Sequence, residues 1–559
     1  MPGHSIGRFF WPAAAGLLLI QSFLLVSSAL QETQTWDESY HMLAGYSYWK
    51  LGRLDINREH PPLGKYLNAL PLLVLAPGLP IDREAWKRGD YVEAGADFLY
   101  HNRVDADTML FAARSVTMLL TLALGLSIAW WGRRRYGGAA ALAALALFVF
   151  DPNILAHGRY VTTDTIAALF IFLGVVTWEK WLDSNRWRDL AVAGIVFGLA
   201  IVSKFSAFIL VPVYIALYAV RRRENKEEFS LARCVKACGF MVVLPAVVVI
   251  VAYAPEARLL LPATRAMRQA DPGIQTLRDT IDARSEYGEL MRWVGGRLGL
   301  QAHSFLVGLG AVAAHNTVGH QSYLLGKVAE HGRWYYFPVL FAVKTPAATL
   351  VGALIAVIVA WRRPRFELVV PAGFYFAASM VSGLNIGLRH LLPIYPFLFL
   401  LIGATLAAWR SRIGRLTLWL LPAALAAESL AVYPHYLAFF NAPAGGPGAG
   451  PRYAADSNID WGQDIKKLKR WMDAQGVPQI CLCYFGRANP EYYGVRNVEP
   501  PQANERENWK YMDCYTAVSV TPLVGVYTPR ERFDILRRMQ PVAKIGYSIY
   551  VYDLRKKRP

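Results

Sequence analysis

The chain has 559 residues, of which 54% are apolar and only 18% charged, and its mean hydropathy is +0.25. A water-soluble multidomain protein carries roughly a quarter of its residues as Asp, Glu, Lys and Arg, so this balance excludes one and indicates a mainly α, polytopic membrane protein. The net charge of +18 is scattered over short loops between apolar runs, where it serves orientation in a bilayer, and it calls for no nucleic acid partner.

The first apolar run, Phe9 to Leu30, lacks a small-residue cleavage site and has the roughly 20 residues that a helix needs to span, so it reads as a retained membrane helix. Hydropathy predicts further spans near 110–131, 138–152, 163–182, 189–203, 205–220, 234–254, 336–360, 367–383, 388–408 and 414–433, for a total of about eleven. The pair flanking Ser203-Lys204 could equally be one long tilted helix, and the basic residues arbitrate. With two helices there and a cytoplasmic amino terminus, Arg133-Arg134-Arg135, Arg221-Arg222-Arg223 and Arg410, Arg412 and Arg415 all face the cytoplasm, whereas merging the pair would throw the later cluster outside. The short connections on the other face then hold only Arg159, Lys204 and Arg389.

This topology makes a multi-pass protein of the cell membrane, with a transmembrane part over 1–433 and an extracytoplasmic tail over 434–559. Two outer loops, near 31–108 and 255–335, lie on the same side as the tail, and Tyr66 to Leu79 and Leu298 to Ala314 read as interfacial helices within them. In the tail the apolar runs give way to alternation. Asp464 to Ala474 is an amphipathic helix, Gln479 to Phe485 and Tyr515 to Val520 are strands, Arg530 to Met539 is a helix and Lys544 to Tyr552 is a closing strand, which together make a small α/β domain. The Gly- and Pro-rich stretch Ala442 to Pro451 reads as its linker. Cys481, Cys483 and Cys514 would lie in an oxidising compartment and allow one disulfide, with the pair left open.

Charged groups beside a membrane domain are costly unless paired, solvated or used. On the outer side Asp37 and Glu38 directly follow the first span, and Lys65, Arg159, Lys204 and Arg389 bring up to four cations to the same side. Cleavage of a sugar from a polyprenyl phosphate builds negative charge on the departing phosphate, which cations stabilise more in the transition state than in the ground state. The attacking hydroxyl or amine must shed a proton, and Asp37 or Glu38 is the base within this set.

The Asp37-Glu38 pair, His60-Pro61-Pro62-Leu63-Gly64-Lys65, the run from His157 through Arg159 to Asp164, Ser203-Lys204-Phe205, and Leu388-Arg389-His390 with the proline-containing residues to Pro396 resemble the GT-C glycosyltransferases. Within them the chain is similar to the prokaryotic branch related to protein O-mannosyltransferases and to the lipid A aminoarabinose transferase, and the tail stretch Asp456 to Asp464 fits bacterial members. The resemblance covers most of the chain. It implies an inverting transfer from a lipid-phosphate sugar to a lipid, glycan or protein acceptor at the extracytoplasmic face. Asp37 would be the base, Lys65 and Arg389 would lie near the donor phosphate with Arg159 and Lys204, and His60, Asp164 and His390 would shape the substrate site. The 255–335 loop is too short for the β-trefoil insertion of eukaryotic protein mannosyltransferases, which argues against protein acceptors.

No cofactor is required by this reading, and a divalent metal beside the acid pair is left open. His303, His315, His320 and His331 match no standard metal-ligand spacing and read as polar loop residues. A transporter or flippase of lipid-linked sugars is the alternative class, but it would place its binding groups near the bilayer midplane and commonly show internal repeats. Here the charges stand at the ends of spans on one face.

Overall fold

The computed structural model describes residues 3–226, 230–255, 300–361, 364–498 and 513–555. The part of the outer loop that falls in 256–299 lies outside the described residues, as does the side chain of His303.

Every stretch expected to span contains at least one helix. Among the described residues seven helices are long and apolar enough to cross a membrane, and a bent pair, Tyr336–Lys344 and Ala347–Ala360, angled by 112°, makes an eighth if it is one span. The bend falls at Thr345-Pro346, where a proline cannot donate to the preceding turn. The other expected spans are helices Gly138–Phe150, Trp187–Ile201 and Phe366–Met380, of 13, 15 and 15 residues. At 1.5 Å per residue these reach about 20 Å, short of the roughly 30 Å of a hydrocarbon core, so seven or eight full-length helices stand where about eleven spans were expected.

Local sequence explains the ends of these helices. Ala106–Tyr136 starts at Asp105, whose carboxylate accepts from the Thr108 N–H, and it finishes on Arg133, Arg134 and Arg135, which meet the negative end of the helix dipole. Asp164–Ser184 stops at Asn185, which takes the left-handed conformation that ends a helix. Between Ile201 and Leu210 the chain breaks as the basic loops required. Lys204 is extended and a 3-10 turn, Phe205–Ile209, leads into the next helix.

The tail carries a five-stranded mixed sheet, and a small hairpin, β1 (Ser322–Leu324) and β2 (Lys327–Ala329), precedes it in the 255–335 loop. Its strands are β3 (Ile480–Cys483), β4 (Asn497–Val498), β5 (Tyr515–Ser519), β6 (Ala543–Ile545) and β7 (Ile549–Asp553), in the order β4-β3-β5-β7-β6. β3 pairs in parallel with β4 and β5, and β7 pairs antiparallel with β5 and β6. Helix Ile465–Ala474 buries Ile465, Leu468 and Met472 with Ile480, Ala517 and Val551 of the sheet. The single closing strand expected over Lys544 to Tyr552 is a hairpin instead, because Gly546 turns at φ 58° against the Asp464 carboxylate, where a Cβ would collide. The helix expected over Arg530 to Met539 is a 3-10 turn followed by the short helix Asp534–Arg538. The disulfide joins Cys481 to Cys514 and leaves Cys483 free.

The stretch Ala442 to Pro451 runs as two 3-10 turns pinned to the membrane part, with Asn441 Nδ2 donating to the carbonyls of Ala342 (2.7 Å) and Thr345 (2.8 Å). Two buried ion pairs fix the other side. Arg114 binds both oxygens of Glu38, at 2.8 and 2.6 Å, and donates to the carbonyls of Ala29 and Thr33. Arg159 binds both oxygens of Glu32, at 2.8 and 2.9 Å, and donates to Ser28. Removing one partner of such a pair strands a buried charge, so Arg114→Leu is expected to cost about 3–5 kcal/mol of stability, read as a lowered unfolding temperature in detergent. An unchanged temperature would show that the pair bears no structural load.

Candidate active site

Asp37 sits at the amino end of helix Glu38–Leu51, but its carboxylate makes no capping hydrogen bond there. It meets Arg389 instead, Oδ2 to Nη1 at 2.8 Å. Arg389 belongs to the 3-10 turn Leu388–Ile394, its guanidinium lies 4.2 Å from the ring centre of Trp461, and it stands 3.8 Å from Asp164 Oδ2. Asp164 opens helix Asp164–Ser184 and takes Lys204 Nζ on its other oxygen at 2.5 Å. Acid and base alternate in a line, Asp37, Arg389, Asp164, Lys204, drawn from four segments remote in sequence. The break at Lys204 makes this reach geometrically available, since an extended residue between two helices can turn its side chain to a neighbouring helix end.

The four line one cavity of about 850 Å³, together with His60 and His390. The same cavity carries an apolar wall that includes Phe205, Phe208, Leu309, Val312 and Val381. It thus combines a cluster of charged groups with a largely apolar lining. Burial, then the charges of Lys65 and Arg389, holds the His41 imidazole well below its ordinary range, and burial with His41 and Lys65 does the same for His60, so both rings are neutral at neutral pH.

Three residues expected to touch substrate do not line the cavity, and in each case the reason is a saturated hydrogen-bond set. Glu38 is fully buried, accepts from the Thr35 N–H (2.8 Å), the Thr35 hydroxyl (3.1 Å) and the Val161 N–H (2.9 Å), and shares both oxygens with Arg114. Lys65 Nζ donates to the carbonyls of Asn57 and His60 and to the Tyr48 hydroxyl, which clamps the turn that carries His60. Burial pushes its ammonium well below the ordinary lysine range. Arg159 is consumed by Glu32, Ser28 and the Leu155 carbonyl.

Other residues reach the cavity without having been expected there as site groups. His41 stands one turn after Asp37, its backbone N–H bonded to the Asp37 carbonyl at 3.2 Å. Asp456 and Trp461 arrive from the tail stretch whose motif had carried no role, and Phe485 and Tyr527 arrive from the tail with no signal at all. Trp36 stacks on Phe485 at 4.8 Å, and Phe485 stacks on Tyr527 at 5.6 Å. His315 and His320, read from sequence as loop residues, also line the cavity. They stand in a hydrogen-bonded row: Glu59 to His315 at 3.4 Å, His315 to His320 at 3.1 Å, His320 to Tyr527 at 2.6 Å and Tyr527 to Asp456 at 2.8 Å. His331 lies apart, bonded to the Val318 carbonyl. Among the described residues no cluster of His, Cys, Asp and Glu has metal-binding geometry.

Residues 106–253 match the family model described as dolichyl-phosphate-mannose-protein mannosyltransferase. The matched stretch is about a quarter of the chain and agrees with the resemblance to protein O-mannosyltransferases there. Among solved structures the chain is similar to ArnT from Cupriavidus metallidurans in the apo state, with 12% identity, 96% of this chain and 97% of that one covered, and a TM-score of 0.49. The same protein bound to undecaprenyl phosphate matches at 12% identity, over 97% and 99% of the two chains, with a TM-score of 0.47. An Archaeoglobus fulgidus oligosaccharyltransferase tethered to an acceptor peptide matches at 12% identity over 94% and 72%, with a TM-score of 0.41. No protein with a curated description matches the chain.

Burial pushes the Asp456 carboxyl up to about 6, against the hydrogen bond from Tyr527 that pulls it back. A carboxyl raised in the folded state favours folding at low pH and loses that contribution as pH climbs through the folded value. Asp456→Asn should therefore unfold at the same temperature as the parent near about pH 4 and gain on it as pH rises to about 8. A gap independent of pH would show that this carboxyl titrates normally.

Proposed function

We propose that the protein is an inverting glycosyltransferase that moves a sugar from a polyprenyl-phosphate donor to a hydroxyl- or amine-bearing acceptor at the extracytoplasmic face of the cell membrane. The observation that carries this reading is the convergence of Asp37, Arg389 and Lys204 on one cavity that also has many apolar lining residues. A polyprenyl chain would lie against the apolar residues and place its phosphate at the charged cluster. The amino terminus and the basic loops face the cytoplasm, and the tail, 434–559, forms an outer domain that closes over the cavity.

The acceptor oxygen or nitrogen attacks the anomeric carbon on the face opposite the phosphate. As its bond to that carbon forms, the bond from carbon to phosphate oxygen breaks, the electron pair leaves with the phosphate, and the acceptor proton passes to the Asp37 carboxylate. Charge growing on the phosphate is met by Arg389 and Lys204, which are held in place by Asp37, Asp164 and the Trp461 ring before the donor arrives. Competition between the phosphate and Asp37 for Arg389 frees the carboxylate for its work as base. Glu38, Lys65 and Arg159 act at one remove, by fixing the backbone that presents Asp37 and His60.

With a purified protein and a labelled polyprenyl-phosphate sugar, Asp37→Asn should lower acceptor-dependent consumption of donor by about 10²–10⁴-fold, the range for loss of a general base, and leave donor binding nearly unchanged. Parental turnover in that variant would remove Asp37 from the chemistry. Arg389→Ala is expected to weaken donor binding and turnover together.

A further inference from the structure

His41 is 2% exposed, lines the cavity, and has no hydrogen-bond partner on either ring nitrogen. Thr162, 4% exposed and two residues before Asp164, lines the same cavity, and its hydroxyl is also without a partner. Arg389 Nε is a third such atom on the wall. A buried donor left unsatisfied costs free energy that a folded protein normally avoids, so buried orphans that line a cavity mark the place where a ligand supplies the missing partner.

The chemistry of that ligand follows from the set. Each of the three can give a hydrogen: the imidazole through one ring nitrogen, threonine through its hydroxyl, arginine through Nε. Nearby lie Arg389 and Lys204, while the carboxylates of Asp37 and Asp164 are already engaged by those cations. Asn57 Oδ1 is an orphaned acceptor on the same wall, but the two cations and the three donors beside it outweigh it, and that balance suits a group that has several acceptor oxygens and negative charge. A phosphate ester fits, and a neutral sugar hydroxyl, which must also give away its own proton, fits less well.

We propose that His41, as a neutral imidazole N–H donor, and Thr162, through its hydroxyl, bind the donor's phosphate beside Arg389 and Lys204, in the roles that the sequence assigned to Lys65 and Arg159. This rests on the transferase reading above and adds two ligands to its donor site. The neutral state has a use. An imidazole that stays uncharged among these cations adds a directional hydrogen bond to the phosphate with no further charge to desolvate. Burial and the charges of Lys65, Arg389 and Lys204 disfavour its protonated form, while Asp164 favours it.

Binding of a long-chain polyprenyl monophosphate and of the matching polyprenol to the full-length protein in detergent tests the assignment. His41→Leu should weaken phosphate-lipid binding by roughly ten- to a hundredfold, the size of a lost hydrogen bond to a charged group, and leave polyprenol binding unchanged. His41→Asn, which keeps an N–H donor, should recover most of the loss, and Thr162→Val should show a smaller loss with the same selectivity. Inorganic phosphate, added as a competitor, should displace the lipid less effectively from His41→Leu than from the parent. A His41→Leu protein that unfolds at the parental temperature and binds the phosphate lipid as tightly as the parent would overturn the proposal. If His41→Leu does not fold, His41→Phe, which keeps a ring and has no hydrogen to donate, takes its place, and parental binding of the phosphate lipid by both His41→Phe and Thr162→Val overturns the proposal in the same way. A parent that binds polyprenol as well as polyprenyl phosphate would instead sink the transferase reading itself.

Discussion

One guanidinium organises the site. Arg389 is buried, lies on the Trp461 ring, and is shared by Asp37 and Asp164, with Lys204 closing the row. Alone in such a place each charge would demand a large desolvation penalty, and only the alternation of sign makes the row stable. The same alternation keeps the cavity receptive. A bridging arginine between two carboxylates can swing part of its bonding to an incoming anion without leaving a naked charge behind, so the pairing that stabilises the resting site also leaves it able to take up an anion.

The rest of the membrane part serves to hold that row together. Asp37 precedes one helix, Asp164 starts another, Lys204 sits in the break between two more, and Arg389 lies in the 3-10 turn before a further helix. Each charged group thus stands at a helix end, where its backbone neighbours are also polar. Glu38 with Arg114 and Glu32 with Arg159 lie alongside and lock the segment after the first helix, so that the direction in which Asp37 points is set by bonds that never touch the cavity.

Much of this could be read in the sequence. The interruption at Ser203-Lys204 was demanded by the distribution of basic loops, and Asp37, Asp164, Lys204, Arg389, His60 and His390 were all singled out. What misled was the assumption that an outer cation in a motif is free for substrate. Glu38 finds Arg114 76 residues away and Arg159 finds Glu32 127 residues away, and no local pattern announces partners at that distance. Lys65 is consumed by main-chain carbonyls, which a sequence never displays. In the tail the elements were placed nearly correctly because periodicity is local, yet the inward direction of Tyr527 and Phe485 depends on how the sheet docks, which periodicity does not encode. The exact span count is not confirmed for a related reason: an apolar helix of 13 to 15 residues looks like a span to a hydropathy window, whatever its length allows.

The row from Glu59 through His315, His320 and Tyr527 to Asp456 stitches the loop after helix Glu38–Leu51, the end of helix Leu300–Val318 and two separate points of the tail into one rim. A tail that contributes side chains to the rim cannot drift or be exchanged as a neutral attachment. Swapping it for that of a relative would rebuild one wall of the cavity and take with it Trp461, on which the Arg389 guanidinium lies, so tail and membrane part can change only as a matched pair.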